Sequence, residues 1–224
     1  MSKIRVDNLS KVYVTGKNIE TPALSGITLE IEPQEFLAIA GTSGSGKTTL
    51  LNLIGSLDAP TAGTIHFGHT EVTGMSKNEL AEFRKDHIGF VFQAYNLINT
   101  LTALENVEYI MLLQGVSPAE RRRRAADLLT RVGLEKYLDH FPNQMSGGQQ
   151  QRVAVARAIV SEPSVILADE PTANLDSKTS EQLLDLMLEL NREKGTTFVF
   201  STHDPMVIGK VARVVNLKDG RIVP

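Results

Sequence analysis

The stretch GTSGSGKT, residues 41–48, decides the fold of this chain. It fits the pattern G-x-x-x-x-G-K-[S/T] in full, follows an apolar strand pattern that ends at Gly41, and opens a helical pattern from Gly46 to Gly55. Glycines at these places let backbone N–H groups curl around phosphate oxygens, and the start of a helix adds partial positive charge. The stretch, called the phosphate loop below, therefore predicts a nucleotide site. Lys47 should reach the β- and γ-phosphates, and the Thr48 hydroxyl should bind Mg²⁺.

A second stretch, SVILADE (164–170), supplies acidic partners for this loop. A fully apolar strand would deliver Asp169 to the carboxyl edge of a sheet, where α/β folds bind ligands. We predict that Asp169 holds Mg²⁺ through water and that Glu170 acts on an attacking water molecule. The alternative for Glu170 is an ordinary charge at the start of a helix, before Pro171. The two stretches indicate a nucleoside triphosphatase and leave open a kinase, a GTPase or a motor, although no NKxD-type guanine-reading motif is present.

The rest of the chain alternates strand and helix patterns, which predicts a parallel sheet covered on both faces. Strand patterns are KIRVDNLSKVYV (3–14), GITLEIEPQEFLAIAG (26–41, with a turn at Pro33), GTIHFGHTEVTG (63–74), HIGFVFQ (87–93), SVILAD (164–169), TTFVFSTHD (196–204) and RVVNLKDGRIV (213–223). The stretch SEQLLDLMLELNREKG (180–195) has the apolar spacing of an amphipathic helix. A mostly helical block interrupts this alternation, so we predict a core (1–93 and 158–224) with an inserted helical subdomain (94–157).

Composition excludes several classes of protein. The chain has 224 residues, of which 42% are hydrophobic, and a net charge of −3, so no global basic field points to nucleic acid. Cysteine is absent, which excludes disulfides and favours a reducing compartment. The stretch MSKIRVDNLSKVY (1–13) lacks an apolar segment, so we expect no signal peptide. No apolar run reaches the roughly 18 residues that a membrane span needs.

The stretch MSGGQ (145–149) has a serine and two glycines at a helix start, which also suit an anion. The question is why a chain with one phosphate loop would need a second anion-binding stretch. With the phosphate loop, Gln93 after IGFVF, VILADE (165–170), NLD (174–176) and His203 in STHD, it makes the chain resemble the ATP-binding cassette (ABC) family over nearly its full length. Six motifs in this order and spacing carry the resemblance. The family usually has Leu where this chain has Met145, a change from which we expect little consequence.

The resemblance implies an α/β fold of the P-loop NTPase (RecA-like) type, with a parallel-sheet core, an N-terminal antiparallel β subdomain and an inserted α-helical subdomain. It also implies an ATPase that forms a head-to-tail homodimer, in which MSGGQ of one subunit caps the ATP held by the other. Glu170 and His203 would be catalytic, and Thr48, Gln93 and Asp169 would hold Mg²⁺. The implied ATP-binding residues are Tyr13, Gly41, Thr42, Ser43, Gly44, Ser45, Gly46, Lys47, Thr48, Thr49, Gln93, Ser146, Gly147, Gly148, Gln149 and Asp176. Of these, Tyr13 would stack on adenine and Asp176 would bridge the two sites.

Three stretches indicate a branch of the family, namely 41–63, 96–107 and 167–179, which resemble the lipoprotein-releasing and macrolide-exporting members. We expect a single ATPase domain, 1–224, without a fused membrane domain or second cassette. It would be a peripheral protein on the cytoplasmic face of the inner (cell) membrane that powers an integral membrane permease. The alternatives are a soluble ABC ATPase that acts on nucleic acid or ribosomes, which the charge disfavours, and a small-molecule kinase, which leaves MSGGQ unexplained.

Two surface features bear on the partner. We expect the segment after Gln93 to expose Tyr95, Leu97, Ile98 and Leu101 as a groove for a cytoplasmic helix of the permease. The alternative is that these residues pack inside the helical subdomain. The run Arg121–Arg124 predicts one turn of a solvated helix, and the alternative is a surface that faces lipid head groups or an acidic partner.

Overall fold

The structure is a computed structural model that describes residues 3–16 and 19–223. Residues 1, 2, 17, 18 and 224 of the predicted domain lie outside the described residues. The described strands are β1 (Ile4–Thr15), β2 (Ile19–Ile31), β3 (Phe36–Ala40), β4 (Ala62–Phe67), β5 (Thr70–Glu71), β6 (Ile88–Val91), β7 (Val165–Asp169), β8 (Thr197–Thr202), β9 (Arg213–Lys218) and β10 (Arg221–Val223). The described α-helices are α1 (Lys47–Ile54), α2 (Lys77–His87), α3 (Ala103–Leu113), α4 (Pro118–Arg131), α5 (Gly147–Ile159), α6 (Ser177–Lys194) and α7 (Pro205–Lys210). The predicted α/β class is confirmed.

The central sheet has the order β10-β9-β3-β8-β7-β6, in which β10 alone runs antiparallel to its neighbour. Every residue of β3 and β8 is buried, which explains why β3 is a continuous apolar run and why β8 has the apolar centre Phe198–Phe200. Successive side chains of a strand point to opposite faces, so Phe36 and Ala38 enter one core while Leu37 and Ile39 enter the other. The carboxyl ends of β3, β7 and β8 meet at one edge of the sheet.

A four-stranded antiparallel sheet, ordered β2-β1-β4-β5, forms the predicted N-terminal β subdomain. Its register pairs Ile4 with Ile31 and Val6 with Leu29, all of them buried. These side chains share one apolar cluster with β3 and α1, including Leu50. The antiparallel sheet therefore supports the strand and the helix that flank the phosphate loop.

Helices α3, α4 and α5 lie largely within the range predicted for the helical subdomain. They share a core that includes Val107, Met111, Leu129 and Val153. Helix α5 runs to Ile159 and packs against both α3 and β6, so it crosses the predicted boundary at residue 157. The division into a core and a helical subdomain stays a prediction. Within residues 3–16 and 19–223, no helix has the length and apolar character needed to cross a membrane.

The arginine run Arg121–Arg124 lies on α4, and three of its four side chains, those of Arg121, Arg123 and Arg124, find partners within the chain. Arg123 forms an ion pair with Glu120, one turn earlier on the helix. Arg124 donates a hydrogen bond to the carbonyl oxygen of Val160, at the end of α5. Guanidinium groups bound in this way favour a structural, solvated helix over a surface that faces lipid head groups.

Candidate nucleotide site

The phosphate loop connects β3 to α1, as the sequence predicts. Gly46 has φ 105°, and a Cβ atom there would lie 2.8 Å from the Ala23 carbonyl oxygen, so the loop requires glycine at this position. Gly44 has φ 78°, and a Cβ atom there would meet nothing within 4 Å. The loop thus packs tightly against β2 on one side and leaves room for a ligand on the other.

Lys47 lies inside the loop with only 7% of its surface exposed. Its Nζ donates hydrogen bonds to the carbonyl oxygens of Gly41 at 2.8 Å and Thr42 at 3.1 Å. It also lies 3.8 Å from Oε1 of Glu170. The loop carbonyls therefore hold the Lys47 ammonium between the phosphate loop and Glu170.

The Thr48 hydroxyl lies 3.1 Å from each carboxylate oxygen of Asp169. One hydroxyl, one carboxylate and the side-chain amide of Gln93, which lines the same cavity, are the oxygen ligands that Mg²⁺ prefers. No cluster of three or more His, Cys, Asp or Glu side chains that could hold a metal occurs among the described residues. Mg²⁺ commonly uses one or two carboxylates together with substrate phosphates, so this sparse donor set fits that ion.

Glu170 follows β7 in a left-handed conformation, with φ 44°. Its amide donates to the carbonyl oxygen of Ser201 at 2.9 Å, and its Oε2 accepts from the Thr202 hydroxyl at 3.2 Å. Its Oε1 lies 2.7 Å from Nδ1 of His203. The next helix begins only at Ser177, so Glu170 is not the helix-start charge considered as the alternative.

An open cavity of about 400 Å³ lies at the carboxyl edge of the sheet. The lining residues are Ala23, Ser43, Gly44, Gly46, Lys47, Thr48, Thr49, Gln93, Glu170, Ala173 and His203. Asp169 is not among them and contacts the cavity through Thr48. A phosphate-sized anion in this cavity would meet the helix N-terminus and Lys47 on one side and Glu170 on the other.

The MSGGQ stretch lines a different cavity, of about 370 Å³, which shares no lining residue with the first. Its lining residues are Ser146, Gly147, Gly148, Gln149, Arg152, Asn174, Leu175, Asp176 and Thr179. The Ser146 hydroxyl accepts from the Gln149 amide at 3.4 Å, while Gln149 Oε1 accepts from the Ser146 amide at 2.8 Å. This reciprocal cap fixes the start of α5 and leaves its glycines at the surface.

Asp176 caps the start of α6 beside the same cavity. Its carboxylate accepts hydrogen bonds from the hydroxyl and the amide of Thr179, and these bonds lower the pKa of Asp176. The group is therefore ionised at neutral pH. Asn174, two residues earlier, donates from Nδ2 to the backbone carbonyl oxygen of Gln93 at 3.0 Å, which joins a residue of this cavity to a residue of the first.

Sequence reasoning missed one buried and one half-buried polar side chain on α5. Gln151 is fully buried, and its Nε2 donates to the carbonyl oxygen of Pro171 at 2.8 Å, next to Glu170. Arg157 donates to the carbonyl oxygens of Asn96 and Tyr95, and burial lowers the pKa of its guanidinium. Both residues tie the MSGGQ helix to segments of the nucleotide cavity. A polar residue within the apolar pattern QRVAVARA was the available signal.

Tyr13 does not line either cavity. Its hydroxyl donates to Asp58 at 3.0 Å, and the Lys11 ammonium lies 4.8 Å from the centre of its ring. Burial acts to raise the pKa of Asp58, but hydrogen bonds from Lys11, the Ala59 amide and Tyr13 outweigh it and lower that pKa. The ring is 37% exposed, and its stacking on adenine stays a prediction.

The segment after Gln93 corrects one expectation. Ile98 is exposed, but Leu97 packs against the core, and Tyr95 and Leu101 are half-buried. The expected row of four exposed residues is therefore wrong, and only Ile98 fits it. The physical reason is the backbone, because Tyr95 and Asn96 both have positive φ values and turn Leu97 inward.

The buried side chain of Asn106 fixes this segment from α3. Its Oδ1 accepts from the amide of Ile98 at 2.8 Å. Its Nδ2 donates to the carbonyl oxygens of Ile98, Leu101 and Thr102 at 3.1, 3.0 and 2.9 Å. Sequence reasoning missed this role, although an Asn on the apolar face of a helix is itself a signal.

A glycine loop between a parallel strand and a helix, with its lysine facing an acidic pair on a nearby strand of the same sheet, defines the class of P-loop nucleoside triphosphatases. The comparisons with known proteins give the family. Residues 24–173 match the family model described as ABC transporter, and the chain belongs to that family. It is an ABC ATPase that binds ATP.

The relatives cover nearly all of the chain. The chain is similar to the ABC transporter ATP-binding protein YtrE of Bacillus subtilis, with 47% identity over 96% of this chain and 93% of the relative. It is also 47% identical to the macrolide export ATP-binding/permease protein MacB of Syntrophobacter fumaroxidans, over 100% of this chain and 32% of MacB, so it spans about a third of that relative. A solved structure titled as a dimeric post-hydrolysis state of the ATP-binding cassette MJ0796 bound to ADP and Pi has a TM-score of 0.92 and 45% identity, covering 99% of this chain and 97% of that chain.

Proposed function

We propose that this chain is the ATPase subunit that powers a separate membrane permease of the lipoprotein-releasing or macrolide-exporting type. It would act as a peripheral protein on the cytoplasmic face of the membrane. The observation that carries the proposal is the separation of two anion-binding surfaces in one chain. The phosphate loop and MSGGQ line different cavities, so one subunit alone does not bring them to the same nucleotide.

A head-to-tail homodimer resolves this separation. In such a dimer Ser146, Gly147 and Gly148 of one subunit would close on ATP in the phosphate loop of the other. The free N–H groups at the start of α5 suit a phosphate group. Asp176 and Asn174 line the second cavity, and Asn174 also contacts the backbone of Gln93, so this segment would couple one site to the other. The solved MJ0796 cassette is titled as dimeric, which supports this arrangement.

The charged and polar side chains at the nucleotide cavity would divide the work of hydrolysis. Lys47 would neutralise the β- and γ-phosphates. Thr48, Asp169 and Gln93 would hold Mg²⁺, which when bound supplies charge neutralisation on phosphate oxygens. Glu170 would take a proton from the attacking water, because its carboxylate is held by Thr202 and His203 and faces the cavity.

His203 and Tyr13 complete the predicted ATP site. The ring of His203 would contact the γ-phosphate from the Nε2 side, because its Nδ1 is engaged with Glu170. The ring of Tyr13 would stack on adenine while its hydroxyl remains bound to Asp58. The phosphate-binding part of the site would thus be built on the central sheet, and the base-binding part on the antiparallel sheet.

The permease contact would lie on α3. Four apolar residues there and on the preceding segment are 37–53% exposed, and we call them the α3 stripe: Ile98, Tyr109, Leu112 and Leu113. Residues 109, 112 and 113 lie on one face of the helix, since positions three and four apart are neighbours. An exposed apolar patch of this kind marks a protein or membrane contact. It favours a membrane subunit as partner over nucleic acid, which would require a basic surface.

The variant Glu170→Gln tests the proposal. The amide keeps the size of the side chain but cannot accept a proton, so ATP should bind while hydrolysis falls by about 10²–10⁴-fold. The ATP-bound dimer should then persist, and gel filtration with Mg-ATP should show a dimer that is absent with ADP. A monomer under all conditions, or turnover close to that of the wild type, would exclude the proposed dimer mechanism.

A further inference from the structure

Two neighbouring strand ends meet beside the carboxylate of Glu170. The last paired residues of β7 and β8 are Asp169 and Ser201, so Glu170 and Thr202 are the next residues along these two parallel strands. Thr202 is fully buried, whereas the side chain of His203, which also contacts the Glu170 carboxylate, is 69% exposed. One interior side chain and one surface side chain therefore bind the same carboxylate.

The hydroxyl of Thr202 has a fixed direction. Its oxygen accepts a hydrogen bond from the Asp204 amide at 3.0 Å, and its proton is donated to Oε2 of Glu170 at 3.2 Å. A hydroxyl has one proton and two lone pairs, so an N–H group bound to the oxygen leaves the proton available for the carboxylate. In this arrangement Thr202 is a hydrogen-bond donor to Glu170.

The Asp204 side chain is anchored in turn. Its Oδ2 accepts from the Thr172 hydroxyl at 2.8 Å, and its Oδ1 accepts from the Met206 amide at 2.9 Å, at the start of α7. Thr172 lies two residues after Glu170, so the hydrogen bonds run from the Glu170 segment through Asp204 and Thr202 and return to the Glu170 carboxylate. Fully satisfied polar networks of this kind rigidify the groups that they contain.

The two carboxylate oxygens of Glu170 have different partners. Oε1 lies 2.7 Å from Nδ1 of His203 and 3.8 Å from Nζ of Lys47. Under the proposed function these two groups also contact the phosphates of ATP, so their contacts with Glu170 compete with the nucleotide. Thr202 is not among the residues that line the nucleotide cavity, so its hydrogen bond to Oε2 does not compete with a phosphate.

We infer that Thr202 is a positioning residue for ATP hydrolysis, because its hydroxyl holds the Glu170 carboxylate in the orientation that faces the cavity. The inference rests on the proposed role of Glu170 as the group that takes a proton from the attacking water. Proton transfer requires the carboxylate to lie within hydrogen-bond reach of that water, and a misplacement of about 1 Å can slow a reaction about 10²-fold. Loss of the Thr202 hydroxyl should therefore reduce turnover without reducing ATP binding.

Two substitutions of Thr202 separate orientation from packing, because valine removes the hydroxyl at nearly constant volume and serine keeps it. Steady-state ATPase assays should show kcat reduced about 10–100-fold in Thr202→Val, with KM for ATP within about threefold of the wild type. Thr202→Ser should restore most of the lost kcat. The matched control is Thr197→Val at the opposite end of β8, where the hydroxyl oxygen of a buried threonine also accepts from one backbone amide, that of Gln34. Its kcat should equal that of the wild type.

The double variant Glu170→Gln/Thr202→Val tests whether Thr202 acts through Glu170. Its residual rate should equal that of Glu170→Gln alone, since the group that Thr202 orients is already lost. A further loss of activity in the double variant would overturn the inference, as would a Thr202→Val enzyme with wild-type kcat or one that no longer binds ATP. A serine variant as slow as the valine variant, or an equal loss of kcat in Thr197→Val, would overturn it as well. Turnover of Glu170→Gln at the wild-type rate would show instead that the proposed role of Glu170 fails.

Discussion

Replacing Asn106 by Ala removes the side chain that shapes the segment leading to the α3 stripe. Four hydrogen bonds are lost, one to an amide and three to carbonyl oxygens. The carbonyl oxygens of Ile98 and Thr102 keep a second donor each, namely the amides of Leu101 and Asn106. The damage therefore falls on the amide of Ile98 and the carbonyl oxygen of Leu101.

The size of the effect follows from those two groups. A buried polar group left without a partner costs about 1–3 kcal/mol, so we expect a loss of about 2–4 kcal/mol in the free energy of unfolding. For a chain of this size that corresponds to a fall in Tm of roughly 5–15 °C. Asn106→Asp should be worse than Ala, because its carboxylate would face the carbonyl oxygens of Ile98, Leu101 and Thr102 in a buried place.

Urea unfolding followed by circular dichroism measures these changes. Asn99→Ala is the matched control, because Asn99 lies in the same segment and is exposed, and its loss should stay within about 0.5 kcal/mol. A loss below about 1 kcal/mol for Asn106→Ala would show that water replaces the side chain and would refute the reasoning. So would an Asp variant more stable than the Ala variant.

Three further outcomes follow from the two cavities. Lys47→Ala should lower ATP affinity strongly by calorimetry, because the buried cation facing the phosphates is removed; unchanged affinity would contradict its role. Gly147→Asp should bind ATP as a monomer yet fail to dimerise in gel filtration, since a carboxylate would face the partner's γ-phosphate. An acidic residue at the start of a helix favours folding of the helix. The Tyr95 hydroxyl would lie 2.7 Å from the new Cβ atom and must move aside. Tyr95→Phe, which removes that hydroxyl, is therefore the companion control for the steric effect. The stability difference between the wild type and Asp176→Ala should be full at neutral pH and should shrink as the solution becomes acidic, because hydrogen bonds from Thr179 lower the pKa of Asp176 in the folded state. A difference in denaturation midpoint between the two proteins that stays the same at every pH would contradict this.

The sequence predicts well what depends on local geometry. The phosphate loop requires glycine at position 46 by its backbone conformation, and the apolar runs of β3, β7 and β8 require burial on both faces. Both requirements can be recognised from a few consecutive residues of the sequence. The order of the strands leaves no such pattern, because β3 pairs with β8 and β9, which lie more than a hundred residues away in the chain.

The errors and omissions lie where the chain is irregular. Leu97 belongs to a segment without periodicity, and the positive φ values of Tyr95 and Asn96 decide which side faces the solvent. Gln151 contacts Pro171 on another segment, and Asn106 contacts the irregular segment just before its own helix. A polar residue in an apolar pattern therefore indicates burial, but the partner depends on how segments without periodicity fold.

The pairing of β3 has a consequence for biosynthesis. A ribosome makes β3 and the phosphate loop early, but the neighbours of β3 in the sheet emerge only with β8 and β9. The turn after β9 then closes the loop, where the Gly220 amide donates to the carbonyl oxygen of Ser45 and the Ser25 amide donates to the carbonyl oxygen of Gly220. A nascent chain released before Gly220 would therefore contain every predicted nucleotide-binding residue but lack both of these hydrogen bonds, so its phosphate loop would be held less firmly.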